Sequence, residues 1–208
     1  QISSFALACL ICAFCNVQFS YADTQADSVS SHNSPAYFGS YDLFAYYFAS
    51  KSLLGKRNPY YQPADLLKKE KEMAGLYDCN SDIWNPPWTF LLTLPLTFFD
   101  MKTASTIWMY TSLLLAGISC WLVVRITNKK LWFWIPAMLG FAVFPPALDS
   151  LSVGQQGMVL TFAFLLSLYA LLQKRDWLAG AALFLLTIKP HILYLYLIIP
   201  AIIVVREK

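Results

Sequence analysis

The stretch TASTIWMYTSLLLAGISCWLVV, residues 103–124, decides the fold class. It contains no Asp, Glu, Lys or Arg, and it is as long as the roughly 20 apolar residues that a helix needs to cross the hydrocarbon core of a bilayer. This pattern predicts an all-α fold in which residues 86–208 form a polytopic bundle of transmembrane helices, with about six or seven helical segments in the chain. The other apolar runs are residues 87–99, 131–148, 158–172 and 177–205.

The composition agrees with lipid as the main solvent. Of the 208 residues, 58% are hydrophobic and only 13% are charged, and the mean hydropathy is +0.51. Soluble domains carry about a quarter charged residues, so this chain is poorly suited to an ordinary water-exposed surface. A net charge of +3 is too small to indicate a nucleic-acid partner. The chain is therefore predicted to be a multi-pass protein of the cell membrane, in contact with membrane lipids.

A polar segment, residues 23–85, precedes the main apolar runs. It is predicted to be a long external loop with amphipathic, interfacial helices, within a single membrane domain of residues 1–208. Residues 2–20 are apolar and lead into a small-x-small pattern, so a cleaved signal peptide and a retained first helix both remain open. The chain begins with Gln1 and ends at Lys208 directly after an apolar run. We therefore expect a truncated fragment of a longer protein, which can be inactive alone.

The charge pattern leaves the topology between Pro87 and Lys130 open. Clusters of Lys and Arg at residues 125–130, 174–175 and 206–208 are typical of the cytoplasmic side. With an external polar segment, these clusters require an odd number of crossings before residue 125. The hydropathy pattern instead shows two apolar runs there.

Asp42 is the candidate catalytic base. It lies in YDLFAYYFASKSLLG, residues 41–55, an aromatic and amphipathic stretch predicted to lie at the membrane surface. Partial desolvation at such a place raises the basicity of a carboxylate and suits it to accept a proton. Because Asp42 follows Gly39-Ser40, capping of a short interfacial helix is the alternative role. Asp78 and Asp82 are the reserve candidates for the base.

Basic residues at two places are candidate phosphate ligands. Lys56 and Arg57 follow a glycine in a turn, where they could bind a phosphate or contact lipid headgroups. Lys189 lies inside the apolar run of residues 177–205. A lysine is costly in lipid, so Lys189 should face a cavity or a partner, unless it snorkels from a helix end. The nearby His191 could transfer a proton, bind phosphate or simply hydrogen-bond at an interface.

Two amide side chains at the ends of apolar runs complete the candidate site. Asn85 begins the sequence NPPW, residues 85–88, in which the prolines fix the start of a helix. Gln155 lies in GQQG, residues 154–157. Its amide could bind hydroxyl groups such as those of a sugar, although a turn is the simpler reading. The sequence has no metal-ligand spacing and no DxD pair, so no metal or cofactor is predicted.

In their order along the chain these motifs resemble the GT-C class of membrane glycosyltransferases, and most closely glycosyltransferase family 87. The resemblance covers about residues 37–200 and no single motif in it is specific. Gln156-Gly157 departs from the pattern, which has an Asn-like residue near this turn. The matching set comprises Tyr41-Asp42 with Tyr46-Tyr47, Gly55 with Asn58-Pro59-Tyr60, Asn85-Pro86-Pro87-Trp88 with Pro95-Leu96, Gly154-Gln155, and Ala179-Gly180 with Lys189-Pro190.

The resemblance implies a multi-helix membrane enzyme with a large first external loop. It implies a polyprenyl-phosphate hexose as donor, such as a mannose donor, with no nucleotide sugar and with a lipid or glycan acceptor on the external face. Asp42 would then be the base of an inverting transfer. The donor's phosphate and sugar would be bound by Lys189, His191, Lys56, Arg57, Asn85 and Gln155.

Two other classes of protein remain as alternatives. In a membrane transporter, Lys189 would line a pathway. That class should show an inverted repeat, which is not visible in the sequence. A non-catalytic membrane scaffold should tolerate replacement of Asp42 and Lys189.

Overall fold

The computed structural model describes residues 41–61, 68, 83, 85–190, 197–198, 201–202 and 205. These residues form helices and turns and contain no β-strand, which confirms the all-α class. The segment 2–20, the reserve acids Asp78 and Asp82, and His191 lie outside the described residues. The described α-helices are α1 (Tyr41–Leu54), α2 (Phe90–Thr93), α3 (Met101–Ile126), α4 (Trp134–Ala142), α5 (Pro145–Val153), α6 (Gly157–Leu172) and α7 (Asp176–Leu186). The described 3₁₀ helices are Pro87–Thr89, Leu94–Phe98 and Leu131–Phe133.

The longest described helix, α3, contains the stretch that decided the fold class. It begins at a well-formed cap, because the Asp100 carboxylate accepts hydrogen bonds from the backbone N–H (3.2 Å) and the hydroxyl (2.7 Å) of Thr103. Within the described residues, α3 is the one single helix long and apolar enough to cross a membrane. Counting the bent pair Leu131–Ala142 and Pro145–Val153 as one span makes two. The described residues therefore give fewer spans than the polytopic bundle predicted from hydropathy.

Two breaks divide apolar runs into helices too short to be counted as membrane spans. At the first, α4 and α5 are bent by 68°, and α5 begins with Pro145-Pro146, which cannot continue a preceding helix. At the second, α7 ends at Leu186, residues 187–189 form a turn, and helix resumes at Pro190. The apolar run of residues 177–205 is too long for one untilted helix and allows one kinked helix or two short helices meeting at Lys189-Pro190. The end of α7 at Leu186 fits a break at this place.

Helix α1 differs from the amphipathic surface helix that the sequence predicts. Residues 43–50 are all buried, so this part of the helix has no exposed face. The Tyr47 hydroxyl donates to the Phe99 carbonyl oxygen (2.8 Å), and the Ser50 hydroxyl lies 2.8 Å from that of Thr93. Residues 90–98 pack against α1, and Leu43, Phe44, Tyr47 and Phe48 of α1 belong to the hydrophobic core. The placement of residues 23–85 outside the membrane stays a prediction.

The core lies around α6, which packs mainly against α3 and α7. It includes side chains from α1, α3, α6 and α7: Leu43, Phe44, Trp108, Leu122, Leu160, Leu168 and Leu186. Beside this core, α3, α4, α5 and α6 line a partly open apolar cavity of about 360 Å³. Gly157, the first residue of α6, lines that cavity.

Candidate active site

The loop between α5 and α6 is fixed by its backbone. Gly154 ends α5 in the left-handed region (φ 77°, ψ 29°), which favours glycine, and the Gln155 N–H donates to the Ser150 carbonyl oxygen (2.9 Å). The indole N–H of Trp108, on α3, donates to the Gly154 carbonyl oxygen (3.0 Å). These contacts place both glutamine side chains of residues 154–157 in the interior, with 8% of the first and none of the second exposed.

Asp42, in the first turn of α1, meets this loop. The Gln155 side-chain amide donates a hydrogen bond to its carboxylate. Burial is the strongest influence on Asp42 and raises the pKa of its carboxyl; the positive charge of Lys189 and the Gln155 hydrogen bond oppose this rise. A carboxylate with a raised pKa is a better proton acceptor than an ordinary aspartate, while the two opposing contacts keep its charged form available.

Lys189 lies in the turn after α7, partly buried and close enough for its charge to act on Asp42. The expectation that this lysine needs a partner is therefore met by a carboxylate. The turn exists because α7 stops at Leu186, three residues before the lysine, and Pro190 starts the next helical segment. Residues separated by nearly 150 positions thus form one cluster of opposite charges.

Asn85 holds the Lys189 turn in place. Its side-chain N–H group donates to the Ile188 carbonyl oxygen (2.9 Å) and reaches the Gln156 side-chain oxygen (3.5 Å). The backbone carbonyl oxygen of Asn85 accepts a hydrogen bond from the Tyr60 hydroxyl (2.8 Å). Asn85 was predicted to bind the donor. In the structure its amide N–H group contacts protein atoms and helps to hold the turn at residues 187–189, and its role in binding the donor stays a prediction.

The other predicted phosphate ligands lie apart from this cluster or outside the described residues. Lys56 and Arg57 are exposed and follow the end of α1. A helix rises about 1.5 Å per residue, so the length of α1 places them about 20 Å from Asp42 along the helix axis. Their role as phosphate ligands stays a prediction, as does that of His191, which is not described.

Several contacts of the site could not be found from the sequence. Trp108 and Gly154 are 46 residues apart, and Asn85 and Ile188 are 103 apart. No local sequence motif predicts either contact. Gln156 did carry a signal, because it stands beside Gln155 in the same turn, but it was noted only as a departure from the expected pattern.

The described residues contain no group of three or more His, Cys, Asp or Glu side chains that could hold a metal ion. The polar groups gathered at the site are one carboxylate, one ammonium group and three amides, contributed by α1 and three turns. Such a set can accept a proton, neutralise an anion and bind hydroxyl groups.

The described residues form an all-helical fold with a helix of membrane-spanning length and a partly buried cluster in which Asp42 lies near Lys189. A family model, glycosyltransferase family 87, matches residues 84–206, more than half of the chain. The chain therefore belongs to glycosyltransferase family 87, which confirms the family predicted from the ordered motifs and favours an enzyme over a transporter or scaffold. No curated protein and no solved structure matched the chain. Asp42 precedes the matched region, and the fold brings it to the matched residues Gln155 and Lys189.

Proposed function

We propose that this glycosyltransferase moves a hexose from a polyprenyl-phosphate donor to a hydroxyl group of a lipid or glycan acceptor, as a multi-pass enzyme at the external face of the cell membrane. Membership of the family carries the glycosyltransferase activity. The observation that supports this particular reaction is the meeting of Asp42 with Gln155 and Lys189.

Asp42 is the general base of the proposed reaction. Its carboxylate takes the proton of the acceptor hydroxyl as the hydroxyl oxygen forms a bond to the anomeric carbon. The bond between that carbon and the phosphate oxygen breaks, and its electron pair leaves with the polyprenyl phosphate. A single displacement of this kind inverts the anomeric configuration. The raised pKa of Asp42 suits the proton transfer.

Lys189 neutralises the negative charge of the leaving phosphate. Its ammonium group is held near the base by electrostatic attraction in the resting site, and the phosphate offers it a second anion when the donor binds. The apolar cavity begins at Gly157, next to the polar loop, and its volume of about 360 Å³ fits part of an apolar chain. Lys56, Arg57 and His191 are further candidate contacts for the donor phosphate.

The donor class can be tested with the full-length protein in membranes. We expect sugar transfer from polyprenyl-phosphate mannose or polyprenyl-phosphate glucose to endogenous acceptors, and none from GDP-mannose or UDP-glucose when synthesis of the lipid-linked donors is blocked. Membranes without the protein are the control. NMR of the product should show the inverted anomeric configuration. Transfer from the nucleotide sugars alone, or from none of the four donors, would contradict the proposal.

A further inference from the structure

Gln156 has a side-chain nitrogen that the described structure leaves without a partner. The residue is fully buried, and its amide N–H group makes no hydrogen bond within the described part of the chain. An unpaired buried donor is unusual, because it has lost its hydrogen bonds to water without replacing them. The Ser150 hydroxyl and the Thr89 hydroxyl are the other described side-chain groups in this condition.

The orientation of the Gln156 amide is fixed by its neighbour. The Ile188 carbonyl oxygen can only accept, so the Asn85 atom 2.9 Å away must be the amide nitrogen. That nitrogen also faces the Gln156 side chain at 3.5 Å, which makes the facing Gln156 atom the oxygen. Exchanging the oxygen and nitrogen of Gln156 would set two donors against each other. The N–H group of Gln156 therefore points away from Asn85.

The position of this N–H group ties it to the proposed reaction. Gln156 adjoins Gln155, which contacts the base, and it is linked through Asn85 to the turn that carries Lys189. We propose that the Gln156 amide donates a hydrogen bond to an oxygen atom of the bound sugar donor, either a sugar hydroxyl or a phosphate oxygen. This inference rests on the proposed function and adds a substrate-binding residue to it.

Access to the Gln156 amide requires a neighbouring group to move. The turn at residues 187–189, which is linked to Gln156 through Asn85, lies outside regular helix, and such segments open more readily than packed helices. When the sugar donor binds, the buried N–H group of Gln156, which had no partner, would gain a hydrogen bond. This gain is available to a ligand with an oxygen acceptor and not to an apolar ligand.

The test replaces Gln156 by methionine, which has a similar length and no N–H group. In the full-length protein, Gln156→Met should raise the KM for polyprenyl-phosphate mannose, or for the polyprenyl-phosphate hexose that the wild type uses, with kcat little changed. If the lost partner is a neutral sugar hydroxyl, we expect the KM to rise about three- to tenfold. If it is a charged phosphate oxygen, we expect the KM to rise about ten- to a hundredfold. Gln156→Leu is the second variant if the methionine variant fails to fold.

A matched control removes a different buried, unpaired group. Thr89→Val deletes a hydroxyl that also has no partner in the described residues, at a position that does not line the apolar cavity. We expect its KM for the donor to stay within about twofold of the wild-type value, since no ligand contact is lost. An equal rise in both variants would indicate a general packing defect and would overturn the inference.

Inhibition by polyprenyl phosphate, which lacks the sugar, separates the two sources of the oxygen atom. If Gln156 binds the phosphate, Gln156→Met weakens this inhibition as much as it raises the KM. If Gln156 binds the sugar, inhibition is unchanged while the KM rises. An unchanged KM in a folded variant overturns the inference and assigns the amide to a structural water. If the wild-type protein transfers no sugar, the proposed function itself fails, and the inference with it.

Discussion

The turn at Lys189 and the turn at Lys56-Arg57 present the same kind of charge in opposite surroundings. Lys189 is partly buried and acts on Asp42, whereas Lys56 and Arg57 are exposed beyond the end of α1. An exposed cation is well solvated, so its interaction with a phosphate is weak and screened by salt. A partly buried cation beside an anion acts at lower dielectric and contributes more to binding and catalysis. The difference supports the proposal that the polar cluster, and not the exposed basic turn, is the centre of the reaction.

The largest expected effect is the difference in reaction rate between replacing the buried cation and replacing the exposed ones. Lys189→Met removes the charge but keeps an apolar side chain, and we expect kcat to fall about a hundredfold, the scale of losing one preorganised group that stabilises transition-state charge. Lys56→Met and Arg57→Met should each change kcat/KM by no more than about fivefold. Initial rates of polyprenyl-phosphate release measure both. Equal losses of rate in the Lys189 variant and in the Lys56 and Arg57 variants would contradict the view that the two turns contribute differently to the reaction.

Gln155→Met should alter the pH dependence of the reaction. The Gln155 hydrogen bond lowers the pKa of Asp42, so its removal raises that pKa further. Because the base must be deprotonated, the acid limb of the profile of kcat/KM against pH should move to higher pH. We expect about a tenfold loss of rate at the acid end and a smaller loss at high pH. A rate reduced by the same factor at every pH would argue against contact with the base.

Gly154→Ala should have a smaller effect, seen mainly in stability. Gly154 has a φ of 77°, where an added Cβ costs about 1–2 kcal/mol. Gly180→Ala is the control, because a Cβ at this helical position has nothing within 4 Å and alanine favours helix. Melting temperatures of the purified proteins should fall for Gly154→Ala and stay constant or rise for Gly180→Ala. A fall in the melting temperature of both variants would mean that the turn at Gly154 is no more sensitive to an added Cβ than the helix at Gly180.

The sequence predicted those features that depend on local patterns. The described parts of the apolar runs form helices, and Lys189 was expected to face a cavity or a partner. Asp42, Gln155 and Lys189 were each selected as candidates, and the structure brings them together. Burial and charge in a short motif are enough to select a residue, although they do not say which other motif it will meet.

The features that the sequence did not predict depend on contacts between distant segments. Helix α1 was expected to be amphipathic, yet residues 43–50 are all buried because residues 90–99 pack against them. The contacts of the Asn85 amide N–H group with residues 71 and 103 positions away were not predicted, and its role in binding the donor stays a prediction. Within the described residues one helix, or two with the bent pair, is long and apolar enough to cross a membrane, and apolar composition alone did not reveal where the helices bend.

The most direct test of the account is to remove the proposed base without changing its shape. Asp42→Asn should fold and bind the polyprenyl-phosphate donor, but its rate of sugar transfer should fall at least about a hundredfold. Asp176→Asn is the matched control, since Asp176 also lies in the first turn of a helix but is exposed. Its rate should equal that of the wild type. Near-normal transfer by Asp42→Asn would contradict the central claim that this carboxylate is the catalytic base.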